Sequence, residues 1–237
     1  MDDELNALRR TRMRWNTPLS EPHAELLLDR MELAGGHLVD LGCGWGELLL
    51  RAAARAPGLH VTGVDTDVTG LERGRAAAAS RGLSVDFLEA DAASWDVAAE
   101  RAFCIGAAHI FGSTKGALDA LARVVAPGGR LLYGDGFWAA PPGPAAREIF
   151  GPDVLTLPDL LDAATGAGWR VLHLSTADRL EWDDFESTSR RAWEEWLAAH
   201  PADPRAGAVR EWLDRRLREY VRGYRGVLGF TYLVLGR

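Results

Sequence analysis

The residues with the most chemical content lie together at Val39-Asp40-Leu41-Gly42-Cys43-Gly44-Trp45-Gly46-Glu47. Glycines at alternate positions let the backbone turn sharply and approach a ligand closely. The apolar run before them reads as a strand and the run after them as a helix. The pattern is G-x-G-x-G. Position 47 is Glu, so the dinucleotide fingerprint G-x-G-x-x-G fails, and the phosphate loop G-x-x-x-x-G-K-[ST] is missing. Asp65 ends the next strand-like run, about 20 residues further on, where a carboxylate is placed to accept hydrogen bonds from ribose hydroxyls. A carboxylate can accept two such bonds at once. Asp91 ends a third run. Asp40, Asp65 and Asp91 thus fall at carboxyl ends of strands, where open parallel sheets bind their ligands.

Elements able to hold these residues recur along the chain. Strand-like runs at 37–41, 60–64, 85–88, 102–107, 130–133 and 169–174 alternate with helical stretches at 47–56, 71–81, 118–125 and 157–167. Ser20, Glu21 and Pro22 open a further helix that ends before Gly35, and Thr156 is an N-cap. Pro127-Gly128-Gly129 ends the helix before the strand at 130–133. Strands separated by helices of this length predict a parallel sheet with helices on both faces. The pattern changes late, with helices at 187–199 and 204–222 inserted before a final strand at 227–235. Residues 2–14 are charged and helix-like.

Composition narrows the function classes. The 237 residues carry a net charge of −7, which argues against a domain that neutralises phosphates. Two cysteines, Cys43 and Cys104, make neither a disulfide framework nor a four-ligand zinc site, and His23 and His200 are isolated, so no metal is expected. Met1-Asp2-Asp3-Glu4 has the wrong sign for a secretory signal, and no apolar run reaches membrane-spanning length. The expectation is a cytoplasmic protein, monomeric or homodimeric, with a small-molecule substrate and neither nucleic acid nor membrane as partner. The arginines between Arg205 and Arg225 alternate with Glu211, Asp214 and Glu219, which reads as a solvated, salt-bridged face.

In order along the chain, VDLGCGWGELLL, VTGVDTD, LEADAASW, FCIGAAHIFG and LARVVAPGGRLLYGDGFW resemble the successive motifs of the class I S-adenosylmethionine-dependent methyltransferases. With NTPLSEPHAELLLDRM upstream, the resemblance extends to the small-molecule group related to cyclopropane fatty acid synthases. It implies a Rossmann-like α/β fold, a seven-stranded sheet in the order 3-2-1-4-5-7-6 with the last strand antiparallel. It implies one methyltransferase domain: N-terminal helices and a possible lid over 1–34, a cofactor core over 37–178, a helical substrate cover over 183–224 and a final strand over 226–237. S-adenosyl-L-methionine would be the cofactor and S-adenosyl-L-homocysteine the product. Gly42, Cys43, Gly44 and Gly46 would pass under its methionine part, with Asp40 near the amino group. Asp65 would hold the ribose, Thr66 or Asp67 would flank the adenine, and Asp91 would approach the adenine amine beside Ala92. Ala107, Trp15 and Asn16 complete the implied cofactor set, the last two as a lid or as a simple lead-in to the first helix.

In-line methyl transfer needs positioning and exclusion of water, and a general base only where the nucleophile must lose a proton. His109, just after the fourth strand, either touches the methyl acceptor or orients the cofactor and satisfies a backbone group. Asp135, between Gly134 and Gly136, either faces the acceptor or stabilises its loop. Trp138 and Trp182 either wall the acceptor pocket or pack on the protein. Asp183 and Asp184 either join Trp182 and Phe185 in that pocket or enrich a helix N-terminus. Trp193, Trp196 and Trp212 have the spacing of core packing between two helices. The alternative to an enzyme is a non-catalytic module that keeps the cofactor pocket for sensing; the failed fingerprint at Glu47 argues against a nicotinamide oxidoreductase.

Overall fold

The computed structural model describes Leu8 and residues 10–237. In chain order the elements are α1 (Glu21–Arg30), β1 (Gly36–Leu41), α2 (Glu47–Arg55), β2 (Leu59–Asp65), α3 (Val68–Arg81), β3 (Asp86–Glu89), β4 (Ala99–Ile105), α4 (Thr114–Val124), β5 (Val125–Trp138), α5 (Pro144–Phe150), α6 (Leu157–Gly166), β6 (Arg170–Thr176), α7 (Arg179–Ala199), α8 (Ala206–Glu219) and β7 (Leu228–Gly236). The strands form a seven-stranded sheet in the order β3-β2-β1-β4-β5-β7-β6. β1 pairs in parallel with β2 and β4, β2 with β3 and β4 with β5, whereas β7 runs antiparallel to β6. This is the Rossmann-like methyltransferase sheet that the resemblance implies.

Central parallel strands are covered on both faces and so read as continuous apolar runs. Leu38, Val39 and Leu41 of β1 are fully buried, as are Leu131, Leu132 and Tyr133 of β5. Leu118 and Leu121 of α4, Leu160 and Ala164 of α6 and Trp169 join the same core, and the Trp169 indole N–H donates to the carbonyl of Leu118 at 3.1 Å. Caps fix where the helices begin. Ser20 accepts from the backbone N–H of His23, Ser113 from Gly116 and Thr156 from Asp159.

Three expected elements differ. β5 runs from Val125 through Pro127-Gly128-Gly129, where a turn was expected, because the register shifts between Ala99 and Arg101 and lets that segment stay in the sheet. Gly128 and Gly129 are held there by backbone bonds to Arg237, and a Cβ at Gly129 would sit 2.7 Å from the carbonyls of Ala126 and Glu100. α7 begins at Arg179, well before 187, because Asp178 and Glu181 form a capping box. α5 was not anticipated; Pro144 opens it at a position where the ring costs no hydrogen bond. Of the charged helix expected over 2–14, residues 2–7 and 9 lie outside the described residues; Leu8, Arg10 and Thr11 are helical, and 12–14 are not.

The chain divides into two compact units. One holds Ser20–Phe137, Leu155–Thr176 and Phe230–Arg237; the other holds Trp138–Val154, Ala177–Gly229 and the described residues up to Leu19. Within the second unit, Trp193 and Trp196 pack with Val209 and Leu213, and Trp212 rests on that cluster. The last turn after α8 widens to a π-type turn over Tyr220–Tyr224. Its Tyr220 hydroxyl donates to Asp183 and its Tyr224 hydroxyl to Glu186, both at 2.6 Å, and Arg225 binds both Asp183 oxygens at 2.7 Å. Asp183 is therefore a tether between α7 and this turn. It does not serve the helix N-terminus, whose carboxylates are Asp178 and Glu181.

Trp169 joins the core by area and by a hydrogen bond. Trp169→Ala should lower unfolding free energy by about 3–5 kcal/mol, the usual cost of emptying a buried aromatic site. Urea denaturation checks it, and a loss below about 1 kcal/mol would show that the core does not depend on this side chain.

Candidate functional site

The glycine turn joins β1 to α2, and each of its glycines is required for a different reason. Gly42, Gly44 and Gly46 have φ of 82°, 56° and 64°, which favour glycine. A Cβ on Gly42 would lie 2.5 Å from the Ala107 methyl group, and one on Gly46 would lie 2.7 Å from the Phe87 ring. Gly44 differs, because a Cβ there would meet nothing within 4 Å. The loop is thus packed shut on two sides and open over Gly44.

Asp65 ties the loop to the end of β2. Its Oδ2 accepts from the Gly44 N–H at 2.6 Å and its Oδ1 from the Asp67 N–H at 2.8 Å. A carboxylate has about four acceptor positions, so each oxygen keeps one for a ligand. The N–H groups of Gly42 and Cys43 bond the carbonyl of Val64, which leaves the loop little freedom. α3 presses close as well: a Cβ on Gly70 would lie 3.1 Å from the Gly44 carbonyl. On the helix side Glu47 bonds Arg51 and Arg81, so its charge is answered inside the fold.

Asp40 is buried at the end of β1, and its carboxyl takes no hydrogen bond among the described residues. Its carboxyl is pushed up to about 7, first by loss of water and then by the neighbouring charge of Asp65. An unpartnered buried carboxylate is costly unless a cation answers it. Cys43 sits in the loop as a small, packed side chain. Burial pushes its thiol up, Asp40 and Asp65 add to the effect, and its Sγ fills the space where Gly63 lacks a side chain.

At the end of β3, Asp91 caps a short turn over Ala92–Ser94, accepting from the Ala93 N–H at 3.0 Å and the Ser94 hydroxyl at 3.2 Å. Ala92 is buried under it, and Thr66 is exposed at the end of β2. His109 follows β4 on a turn over Ala108–Phe111; its ring is exposed and bonds no backbone group among the described residues. Asp135, near the end of β5, accepts from three donors: the Tyr133 hydroxyl at 2.8 Å, the Thr114 hydroxyl at 3.2 Å and the Gly136 N–H at 2.8 Å.

The structure therefore gathers Asp40, Gly42, Cys43, Gly44, Gly46, Asp65 and Ala107 around one loop, and sets His109 and Asp135 on the carboxyl ends of the next two strands. Trp15, Asn16, Trp138 and Trp182 belong to the other compact unit. There Trp138 meets Phe150 edge-on, and Trp182 does the same with Phe185 and Tyr224. Sequence reasoning passed over Tyr133 and Thr114. The i, i+2 spacing of Tyr133 and Asp135 on a strand, which puts both on one face, was the available signal. Among the described residues no group of three His, Cys, Asp or Glu side chains could hold a metal ion, and no helix is long and apolar enough to cross a membrane.

A methyltransferase-domain family model matches residues 38–129. The uncharacterised Escherichia coli protein YjhP is 34% identical over 213 residues, which is 85% of this chain and 84% of the relative; its crystal structure superposes with a TM-score of 0.86 over 98% of both chains. A methyltransferase from Geobacter sulfurreducens, crystallised with S-adenosyl-L-homocysteine, is 29% identical, with a TM-score of 0.88 over 100% of this chain and 99% of that one. The cyclopropane synthase MmaA2 of Mycobacterium tuberculosis, 17% identical with a TM-score of 0.72 over 90% of this chain and 82% of that one, shares the fold. The strand order, the open glycine loop and the acid that ties it agree with these likenesses, and the chain belongs to the class I S-adenosylmethionine-dependent methyltransferases.

Proposed function

We propose that this enzyme binds S-adenosylmethionine over the Gly42–Gly46 turn and moves its methyl group to a small-molecule acceptor by in-line displacement. When bound, the cofactor supplies a methyl group already activated on a sulfonium sulfur. The observation that carries the binding assignment is Asp40, a buried carboxylate with no partner among the described residues, beside the free acceptor positions of Asp65. Asp40 answers the cofactor's amino group, and Asp65 takes two ribose hydroxyls on its remaining positions. Gly44 leaves room for the methionine part. Thr66 or Asp67 flanks the adenine, and Asp91, fixed as a cap, offers its spare lone pairs to the adenine amine next to Ala92. Ala107 backs the loop from β4.

His109 and Asp135 belong to the acceptor side, on the two strand ends that follow the loop in the sheet order. The acidic balance of the chain, −7, favours a small acceptor over a polyanion.

Asp65→Ala removes two charge-assisted ribose bonds, so the cofactor's dissociation constant should rise by about 100-fold or more in calorimetry. An unchanged constant would contradict the assignment. Asp40 makes a second, pH-dependent prediction. Its carboxyl titrates at about 7 in the folded chain and near 3.9 when unfolded, so the folded state holds the extra proton between those values. Stability of the cofactor-free protein should therefore fall as pH rises through that window, by roughly 4 kcal/mol at most. Relative to wild type, Asp40→Asn should be stabilised more at pH 8 than at pH 4.5 in urea denaturation, and should bind the cofactor more weakly at pH 8. Equal stability differences at the two pH values would show that Asp40 does not carry the cost.

A further inference from the structure

The hydrogen bonds of Asp135 count its acceptor positions. Oδ2 receives two hydroxyl donors, Tyr133 at 2.8 Å and Thr114 at 3.2 Å. Oδ1 receives one donor, the Gly136 N–H at 2.8 Å. Of about four positions on a carboxylate, Oδ2 is full and Oδ1 keeps one. The donors come from rigid places. Tyr133 is fully buried on β5, beside Cys104 in the parallel register with β4, and Thr114 is the first residue of α4, whose N-terminus favours a negative charge. Two hydroxyls on one oxygen fix the plane of the carboxylate and aim the other oxygen.

We infer that Asp135 takes the proton of the methyl acceptor on the free position of Oδ1, that Tyr133 and Thr114 position it, and that the acceptor atom is the oxygen or nitrogen of an O–H or N–H group. The inference rests on the methyl-transfer reading above and narrows its acceptor class. In the step, the lone pair of the acceptor atom forms the new bond to the methyl carbon while the carbon–sulfur bond breaks. That bond's electron pair stays on sulfur, which becomes a neutral thioether. The acceptor's proton passes to Asp135, which goes from carboxylate to carboxylic acid and then returns the proton to solvent. A thiolate or a carboxylate has no proton to give and would meet a second negative charge at Oδ1 instead.

The ionisable groups facing Asp135 are Tyr133 on its own strand, Cys104 on β4 and His109 on the turn after β4. Burial holds the Asp135 carboxyl above the ordinary carboxylate range, and its three donors and the His109 ring pull it down. Burial keeps Tyr133 and Cys104 protonated, so Tyr133 remains a donor.

The test labels aspartate at the side-chain carboxyl with carbon-13 and follows Asp135 by NMR titration, assigned by its loss in Asp135→Asn. Removing a hydroxyl donor disfavours the carboxylate, so Tyr133→Phe should move the titration upward by roughly one pH unit, and Thr114→Val should move it the same way. In parallel, cofactor turnover is measured with phenols, alcohols and amines against carboxylates and against thiols held above their pKa as thiolates. The expected result is methylation of O–H and N–H compounds, with a rate–pH midpoint that follows the NMR titration in each variant. A merely structural role for Tyr133 would lower the rate without moving the midpoint. The inference is overturned if Tyr133→Phe and Thr114→Val leave the Asp135 titration in place, or if Asp135→Asn methylates the panel at the wild-type rate. Calorimetry of wild type with S-adenosylhomocysteine separates the two readings: absent binding strikes the methyl-transfer reading itself, whereas intact binding with an unmoved titration strikes only the role of Asp135.

Discussion

The hydrogen bond from the Gly44 N–H to Asp65 Oδ2, 2.6 Å long, is the constraint on which the cofactor site depends. A glycine turn is free to move unless something fixes it. Here a carboxylate at the end of β2 holds the turn that follows β1, and the parallel register from Gly36↔Leu59 to Leu41↔Val64 brings the two strand ends level. Charge-assisted bonds of this kind are roughly twice as strong as neutral ones. The same carboxylate has lone pairs left for a ligand, so one residue both shapes the turn and presents an acceptor. Close packing does the rest: Ala107 closes the loop at Gly42, Phe87 closes it at Gly46 and Gly70 meets the Gly44 carbonyl, while the position of a Gly44 side chain stays open.

The arrangement has a cost, which falls on Asp40. It lies buried near the negative Asp65, and among the described residues no donor relieves it. A fold selected for stability alone would place an apolar side chain or an amide there. Under the binding proposed above, a cation relieves the cost of this buried carboxylate, and the site gains affinity from what the empty fold loses. Stability and binding are opposed at this one residue.

Much of this was legible in the sequence because local chemistry and global fold agree. Ser20, Thr156 and the glycine turn each signal a boundary through their own backbone bonds, and the acids at 40, 65 and 91 mark strand ends. The misread elements have long-range causes. Pro127-Gly128-Gly129 is a turn by local preference, and only partners distant in sequence, at Arg237 and Glu100, keep it within β5. The helix expected from 187 starts at Arg179, where Asp178 and Glu181 cap it; Asp183, one of the two acids weighed as enriching a helix N-terminus, is engaged by Tyr220 and Arg225, about 40 residues on. The partners of Asp135 were hidden for the same reason. Tyr133 could have been found from strand alternation, but Thr114 comes to Asp135 only because α4 starts beside the end of β5.

Asp40 and Asp135 show how hydrogen-bond supply divides the labour between two buried acids. Both are raised by loss of water. Asp40 receives no donor, so its charge can be stabilised only by a partner that brings a full positive charge and stays. Asp135 receives three donors, which offset part of what burial costs its charge before any ligand arrives. A carboxylate with no donors suits a permanent counter-ion, because the energy difference between empty and filled states is large. One with nearly all its positions filled suits a transient proton, because that difference is small and can be crossed in each turnover. The sheet places the first at the end of β1 and the second near the end of β5, with β4 between them. On the roles proposed above, that separation keeps the binding of a cation and the transfer of a proton from falling on the same carboxylate.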